Sequence, residues 1–498
     1  MKHTYFKRAL AWVIFSVLTL GILFRYNEVL EPKYTYANST WPTTSSYEQF
    51  YKMKENSIDV LFFGASVAVN TFLPQELYND YGITSFNLGS EQQSVFLSYY
   101  WLKEALRFQK PKVVVIDSLF LNNMHPENPI NTTEGLTRKC LDPMRLSPVK
   151  MDAVKDLCNL DESQTQLSYI LTNFRFHDRW ESLGETDWNR SEYTNGPLMG
   201  YGINTAYGDA NYQPFKPSDS ETMAEFTDVE TEYMQKIADL CNSHGIKLVI
   251  CTIANESMND GINNWITNFA KSNGAKYINM CRSDVYKAIG AKLPKENIQY
   301  HSNIWGAIKV TKYLGKILQD EYSLSAHKDG QYESAKAFYE LVKKECDLTQ
   351  IEKPVEYLRQ ANDSNYSIFI TINGISTDTL DDIKSSFTNL GFNSVNNSGV
   401  SHLAFAKDRE SVLKDSSISD EAAQDENAVQ LNLNEGRFRN NKSRFSIDDI
   451  NGTITIDGGN CEKGNTGINI VIYDDKLMKV VDSVNFSGDD LRNPQVTR

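Results

Sequence analysis

Short apolar runs alternate with helix-like segments between residues 47 and 325, an order that is typical of a parallel α/β sheet. The run 113–116 contains only valine and isoleucine, as expected of a central strand that helices cover on both faces. The pattern predicts strands at 58–63, 83–87, 113–116, 247–252 and 276–279. It predicts helices at 95–108, 229–244, 263–273 and 304–318.

A polar segment at 326–330 separates this region from a second pattern, which mixes helices with alternating β-like runs. Helices are predicted at 332–346 and 378–390. The last two apolar runs flank Asp474-Asp475-Lys476, which predicts a β-hairpin. The second region is therefore predicted to be an α+β domain, with strands at 367–372, 402–406, 452–456, 467–473 and 479–486.

The amino terminus carries an apolar run at 9–24, with three basic residues before it and Arg25 after it. Such a run is close to the length that a membrane-spanning helix needs, and flanking basic residues extend its reach to the headgroups. The basic residues before the run predict that the amino terminus lies inside and that the rest of the chain is extracytoplasmic. A cleaved secretion signal is the alternative, and it gives the bulk of the chain the same location.

The composition argues against several functional classes. Of the 498 residues, 41% are hydrophobic and 23% are charged, as in an ordinary globular protein. The formal net charge of −14 argues against nucleic-acid binding, since phosphates attract a basic surface. The seven cysteines are scattered without a Cys-x-x-Cys pair, so neither a zinc site nor a disulfide scaffold is expected. We expect no metal and no cofactor.

Two residues with the chemistry of a nucleophile and a base stand next to predicted elements. Ser66 follows the strand 58–63, after Gly64 and Ala65, and His301 precedes the helix 304–318. Because parallel α/β sheets bind ligands at the carboxyl ends of their strands, we expect the two side chains to meet there. A serine beside a histidine can perform base-activated attack, so both are predicted to be catalytic. At each position the alternative is structural, with Ser66 as a helix cap and His301 as a packing residue.

Acyl chemistry also needs hydrogen-bond donors around a developing oxyanion. The backbone N–H groups of Ser66 and Gly89 are predicted to supply two of them, because Gly89 follows the strand predicted at 83–87. The side chain of Gln92, or that of Gln93, is predicted to add another.

A long insertion at 122–228 is rich in aromatic and polar residues and has few regular periods. Insertions of this type often shape a substrate cleft. Within it, Arg179 is predicted to bind an anionic group of a polymer, and Trp180 is predicted to stack on a sugar ring. The alternative is a structural Asp178–Arg179 pair beside a buried tryptophan.

Several segments, in chain order, resemble the SGNH/GDSL hydrolase-like proteins: Phe63-Gly64-Ala65-Ser66, residues 82–89, residues 111–117 and His301-Ser302-Asn303. The likeness is to the membrane-anchored branch, typified by the D-alanine transfer protein of teichoic-acid modification and the alginate acetylation proteins. It extends over most of residues 55–320. The resemblance implies a flavodoxin-like sheet, Ser66 as the nucleophile, His301 as the base and an exported carbohydrate polymer as the substrate.

The chain departs from this family at three places. The family usually has an aspartate three residues before the histidine, whereas this chain has Ile298, which cannot accept a hydrogen bond from the imidazole. Glu296 and Asn297 are the nearby candidates to replace it. Val67 stands where the branch often has a histidine, and Asp117-Ser118 stands where the family has a Gly-x-Asn-Asp block. Two interpretations stay open: a Ser–His dyad enzyme, or a pseudoenzyme that has kept the fold.

The second region resembles the ILEI-type (interleukin-like EMT inducer) domain over about residues 357–486. The matching segments are 366–370, 390–391, 466–474 and 481–486. Such domains are associated with glycan binding, so the resemblance implies a carbohydrate-recognition or scaffolding role. A purely structural accessory domain is the alternative.

Together these inferences predict a membrane anchor at 1–30, an SGNH-like domain at 47–325, a linker and helix at 326–356, and an ILEI-like domain at 357–498. The predicted function is an extracytoplasmic O-acyltransferase or esterase that acts on a cell-wall or capsular polysaccharide. A polysaccharide deacetylase on the same site and a catalytically inactive glycan-binding or assembly protein are the alternatives. The predicted partners are the envelope polysaccharide, the membrane and, for a transferase, a membrane-bound acyltransferase that passes acyl groups outward.

Overall fold

A computed structural model describes residues 2–35, 39, 41–122, 125, 127–188, 197–324, 326–396, 402–419, 433–438, 443–474, 477 and 479–498. The chain divides into two compact units, Met1–Tyr339 and Glu340–Arg498. The boundary falls inside the segment 326–356, which the sequence assigns to a linker and helix.

A parallel sheet forms the centre of the first unit. Its strands are β1 (Val60–Phe63), β2 (Ser85–Asn87), β3 (Val113–Asp117), β4 (Lys247–Thr252) and β5 (Lys276–Asn279). The strand order is β2-β1-β3-β4-β5, with all neighbours parallel. The predicted α/β class and parallel sheet are confirmed, and β4 and β5 have the predicted bounds.

Helices connect these strands and pack on the sheet. Those wholly within the first unit are α1 (Lys2–Leu30), α2 (Thr43–Lys52), α3 (Ser66–Thr71), α4 (Pro74–Tyr81), α5 (Val95–Ala105), α6 (Glu134–Leu141), α7 (Pro148–Leu160), α8 (Gln166–Ile170), α9 (Asn173–Phe176), α10 (Glu185–Trp188), α11 (Asp228–Ser243), α12 (Asp260–Ser272), α13 (Ser283–Ile289) and α14 (Ile304–Tyr322). Short 3₁₀ turns occupy Leu119–Asn122 and His177–Ser182. Helix α15 (Gly330–Leu348) contains the boundary between the units.

The two faces of the sheet bury separate hydrophobic clusters. Val114 and Ile116 of β3 belong to one cluster, together with residues of α5 and α11. Val113 and Val115 belong to the other, together with residues of α3, α4 and α14. Alternate side chains of a strand point to opposite faces, so the apolar run of β3 is the sequence of a strand buried on both sides.

One helix in the described residues is long and apolar enough to cross a membrane. It spans Tyr5–Leu30 within α1, with a mean hydropathy of 1.8, and none of its most apolar window is buried. A secretion signal near an amino terminus can meet the same criteria of length and apolarity. The structure therefore agrees with the predicted membrane segment in that an apolar helix of sufficient length is present.

The second unit contains antiparallel sheets. Its strands are β6 (Tyr366–Asn373), β7 (His402–Asp408), β8 (Ser411–Ile418), β9 (Leu433–Arg437), β10 (Arg444–Asp448), β11 (Ile454–Ile456), β12 (Gly459–Asn460), β13 (Gly467–Asp474), β14 (Lys479–Ser487) and β15 (Gln495–Thr497). One sheet has the order β15-β14-β13-β6-β7-β8 and the other has the order β12-β11-β10-β9. Strands β13 and β14 pair antiparallel, as predicted for the hairpin, although residues 475 and 476 of its predicted turn lie outside the described residues.

The helices of the second unit are α16 (Pro354–Ala361), α17 (Thr377–Asp381) and α18 (Lys384–Asn389), with a 3₁₀ turn at Ser394–Asn396. The sequence predicts one helix at 378–390, whereas the chain forms α17 and α18, separated by Asp382 and the buried Ile383. Ile368, Ile370 and Ile372 of β6 pack on one face of the larger sheet. Phe369 lies on the opposite face, in a cluster that includes Phe445 of the smaller sheet.

Candidate active site

The side chains of Ser66 and His301 meet at the carboxyl edge of the parallel sheet. Ser66 Oγ lies 2.7 Å from His301 Nε2, which is a hydrogen-bond distance. Ser66 begins α3 after the two residues that follow β1, and His301 lies just before α14. The structure therefore brings together the two residues that the sequence singles out, in an arrangement that lets Nε2 accept the serine proton.

The turn that carries Ser66 requires glycine at position 64. Gly64 has a φ of +142°, and a Cβ atom there would lie 2.6 Å from the Cβ of Asp117. The Gly64 N–H donates to Gln93 Oε1 at 3.2 Å, and the Gly64 carbonyl accepts from the N–H of Ser90 at 3.2 Å. The loop after β2 therefore fixes the position of the serine.

Side-chain hydrogen bonds hold α3 in place and link it to the histidine loop. Asn87 Nδ2 donates to the carbonyls of Ala68, at 2.8 Å, and Phe72, at 3.1 Å. The hydroxyls of Thr71 and Ser302 lie 2.8 Å apart, so the helix that begins at Ser66 is joined to the residue after His301. These contacts restrict relative motion of the two reacting side chains.

Hydrogen bonds also fix the backbone of His301. Its carbonyl accepts from Asn204 Nδ2 at 2.8 Å and from Asn297 Nδ2 at 3.0 Å. Tyr300, the preceding residue, has a φ of +48° and donates its N–H to the carbonyl of Ala254 at 2.8 Å. A left-handed conformation at a tyrosine is strained, and such strain is often found at functional sites.

Trp41 packs against the imidazole. The ring centroids of Trp41 and His301 lie 5.5 Å apart, and Trp41 Nε1 donates to Asn70 Oδ1 at 3.1 Å. Asn70 lies on α3, one turn after Ser66, and its Nδ2 donates to the carbonyl of Gly202 at 2.8 Å. The tryptophan therefore shields one side of the histidine from solvent.

Burial lowers the pKa of His301 below its ordinary value, and the negative charge of Glu91 acts more weakly in the opposite direction. The imidazole is therefore neutral at neutral pH, which is the form that accepts a proton. Within the described residues, no carboxylate oxygen lies within 4.0 Å of a His301 ring nitrogen. In this part of the chain, Ser66 and His301 form a dyad.

The candidates for a third member lie elsewhere. Ile298 is only 1% exposed and packs in the hydrophobic cluster under α14. Glu296 accepts from the N–H of Lys292 at 2.8 Å, and Asn297 donates to the backbone carbonyl of His301. Asn297 therefore positions the histidine through the main chain.

The predicted oxyanion donors differ in their present bonding. The N–H of Ser66 is at the first position of α3, where a helix provides no acceptor for it. The N–H of Gly89 donates to Asn87 Oδ1 at 3.0 Å, so it reaches an oxyanion only after that bond opens. Gln92 places Oε1 2.8 Å from His125 Nε2, and Gln93 Oε1 supports the Gly64 turn.

Arg179 and Trp180 lie in a different setting. Arg179 donates to the carbonyl of Leu30 at 2.6 Å and to Asp187 Oδ1 at 2.9 Å, which fastens the end of α1 to the insertion. Its partner is therefore Asp187, whereas the structural alternative proposed Asp178. Trp180 is 62% exposed, whereas that alternative expected a buried ring. Neither residue lines the cleft described below.

Asp117 is a buried carboxyl group at the end of β3, directly beneath Gly64. Burial raises its pKa to about 7, although the backbone N–H groups of Leu119, Ala65 and Ser118 act in the opposite direction. In the sequence this aspartate appears only as a departure from the family pattern. Its burial depends on the pairing of β1 with β3, which no local pattern shows.

An open cleft of about 480 Å³ adjoins His301. The loop 204–212 forms one wall of the cleft. Two hydrogen bonds join this loop to the histidine loop. Asn303 Nδ2 donates to the carbonyl of Ala206 at 3.0 Å, and the N–H of Asp209 donates to Gln299 Oε1 at 2.9 Å. The lining residues are Trp41, Asn70, Asn204, Ala206, Tyr207, Gly208, Asp209, Tyr212, Glu256, Asn297, Gln299, Tyr300 and His301.

Sequence reasoning missed most of these cleft residues. Asn70 follows Ser66 by four residues in a short helix, so helical spacing was a signal that it shares the serine's side of α3. Trp41 and Asn204 lie in segments without a regular hydrophobic period, and no local pattern marks them.

Neither the models of known protein families nor the curated proteins give a match to this chain. The functional conclusion therefore depends on the geometry at Ser66 and His301 and on the cleft beside them.

Proposed function

We propose that this protein is a membrane-anchored, extracytoplasmic serine O-acyltransferase or esterase of the SGNH-like type, which acts on an envelope polysaccharide. The observation that carries the proposal is the 2.7 Å contact between Ser66 Oγ and His301 Nε2 beside an open cleft. In this proposal the second unit is an ILEI-like accessory domain that recognises glycan.

The proposed reaction has two steps. Ser66 Oγ attacks the carbonyl carbon of an acyl donor while His301 Nε2 takes the hydroxyl proton, and the Ser66 N–H donates to the oxyanion. The intermediate collapses, the bond to the leaving group breaks, and His301 returns the proton to that group. A sugar hydroxyl then attacks the acyl-enzyme in a transferase, and water attacks it in an esterase or deacetylase, with His301 again as the base.

The pH dependence of the reaction follows from the charge state of His301. Only the neutral imidazole accepts the serine proton, and burial lowers the pKa of His301. We therefore expect the rate of Ser66 labelling by a fluorophosphonate to fall on acidification with a midpoint below about 6.5, the ordinary value for histidine. A midpoint at or above that value contradicts this interpretation.

Glu91→Gln is expected to move the pH midpoint of Ser66 labelling further toward acid pH. Glu91 raises the pKa of His301, and its removal also frees the positive charge of Lys139, which it now pairs at 2.8 Å. Both effects disfavour imidazolium. Glu162→Gln, at an exposed position, is the control and should leave the midpoint unchanged.

The acyl content of the envelope polymer tests the proposal in cells. Ser66→Ala should lower the content if the protein is a transferase and raise it if the protein is an esterase or deacetylase. Ser283→Ala is a matched control, because Ser283 is the first residue of α13 after β5 of the same sheet. An unchanged polymer in the Ser66→Ala strain contradicts the proposed function.

The membrane location has its own test. The hydropathy of Tyr5–Leu30 leads us to expect a full-length chain that stays in the membrane fraction after alkaline carbonate treatment. Protease added outside wall-free cells should digest the globular units. A released chain that lacks the first 30 residues or more supports a cleaved signal in place of an anchor.

A non-catalytic glycan-binding protein is the second candidate. It is favoured by the bond between the Gly89 N–H and Asn87 Oδ1 and by the dyad without an acidic partner in the described residues. Failure of Ser66 to react with any fluorophosphonate, together with retained glycan binding, is the result that favours it.

A further inference from the structure

The cleft beside the dyad has an unusual balance of side chains for a site that acts on exported polymers. Its described lining includes two carboxylates, Asp209 and Glu256, and no lysine or arginine. Amide groups and aromatic rings make up most of the rest. A site built for phosphate or uronate groups normally presents basic side chains to them.

We propose that this cleft binds a polysaccharide without negative charge, either neutral or amino-bearing, and disfavours uronate and phosphate polymers. The inference rests on the proposed function, since it names the substrate class of the same site. It differs from an expectation based on teichoic acid or alginate, both of which are anionic polymers.

Exposed aromatic rings supply the surface on which a sugar can stack. Tyr300 directly precedes His301 and is 37% exposed. Its main chain has a φ of +48°. Tyr207, on the loop 204–212 that also lines the cleft, is 45% exposed. Aromatic faces pack against the C–H groups of sugars.

The charges of the cleft favour neutral or cationic sugars. Glu256 is exposed and makes no hydrogen bond or ion pair within the described residues, and Asp209 Oδ1 accepts from the N–H of Asn211 at 2.8 Å. Lys139 Nζ lies 5.7 Å from the centroid of the Trp41 ring and forms an ion pair with Glu91 at 2.8 Å. The formal net charge of −14 adds a repulsive field against polyanions.

Two fluorophosphonates of equal length test the charge of the cleft in the full chain, one with a quaternary ammonium tail and one with a sulfonate tail. At low salt the cationic probe should label Ser66 at least about 10-fold faster than the anionic probe. The double variant Asp209→Asn/Glu256→Gln should lower the ratio several-fold, toward one. A control double variant at exposed acidic positions, Glu162→Gln/Asp320→Asn, should keep the ratio. A ratio near one, or an inverted ratio, in the unmodified chain overturns the proposal.

Oligosaccharide binding tests the substrate class without the reaction. The full-length Ser66→Ala variant is titrated with oligomers of N-acetylglucosamine, glucosamine and galacturonate of equal length. A neutral or amino oligomer should bind most tightly, and Tyr300→Ala should weaken that binding by about 2-fold to 10-fold. Tyr300→Phe should restore it, since the ring is retained. Strongest binding of galacturonate, or no binding of the other two, overturns the proposal.

The two experiments separate this inference from the proposed function. If no probe labels Ser66, the proposed chemistry fails, and the oligosaccharide ranking still tests the cleft. If Ser66 is labelled but the anionic oligomer binds best, the chemistry stands and the inference about the substrate fails.

Discussion

Replacing Ser66 by alanine is expected to reduce the hydrolysis of a simple aryl ester by at least about 1,000-fold. The variant retains the cleft but has no nucleophile 2.7 Å from His301 Nε2. His301→Ala is expected to cause a loss of about 100-fold to 10,000-fold, since the serine then lacks its base. Initial rates of the full-length variants in detergent give both values.

The double variant Ser66→Ala/His301→Ala distinguishes a catalytic dyad from two independent contributions. Residues that act as one unit have non-additive effects, so the double variant should be no slower than Ser66→Ala alone. Ser283→Ala should hydrolyse the ester at the unmodified rate. Losses that multiply in the double variant contradict a dyad.

Gly306→Ala is expected to have the second large effect, on stability as well as on activity. A Cβ atom at Gly306 would lie 1.8 Å from the carbonyl oxygen of Asn297, which is main chain and cannot rotate away. Asn297 donates to the carbonyl of His301, so the forced shift reaches the catalytic loop. We expect the free energy of unfolding to fall by about 3 kcal/mol and the ester hydrolysis rate to fall with it. Urea midpoints and initial rates measure the two effects.

Gly135→Ala is the matched control for this change. Like Gly306, Gly135 lies in the first turn of a helix, but a Cβ atom there has nothing within 4 Å. Alanine in a helix at an open position is expected to stabilise the protein by up to about 1 kcal/mol. Equal destabilisation by the two substitutions contradicts the steric explanation.

Hydrophobic patterning predicts β3, β4 and β5 because each contains apolar residues that the sheet buries. The predicted bounds of β4 and β5 match although Lys247 is exposed and Lys276 and Tyr277 are half-buried, and β3 is central as predicted. Strand β8 was missed, since Ser411–Ile418 contains lysine, aspartate and serine and is mostly exposed or half-buried. Its formation depends on antiparallel pairing with β7, a contact that no local pattern shows.

The site shows the same limit. Ser66 and His301 are predictable because a strand end and a helix start locate them at one edge of a parallel sheet. Trp41 packs on His301 and donates to Asn70, and it lies in a segment without periodicity, so no local pattern predicts either contact. For Arg179 the sequence suggests a functional contact that the structure does not show. Its sequence neighbours suggest that it binds a ligand, whereas in the folded chain it donates to the carbonyl of Leu30.

The most direct test of the activated serine is covalent labelling of the full-length protein with a fluorophosphonate, with the modified residue located by mass spectrometry. We predict a single adduct on Ser66, formed on a time scale of minutes and lost in His301→Ala. No adduct on Ser66, or one that forms equally fast without His301, would contradict the central claim that the histidine activates this serine.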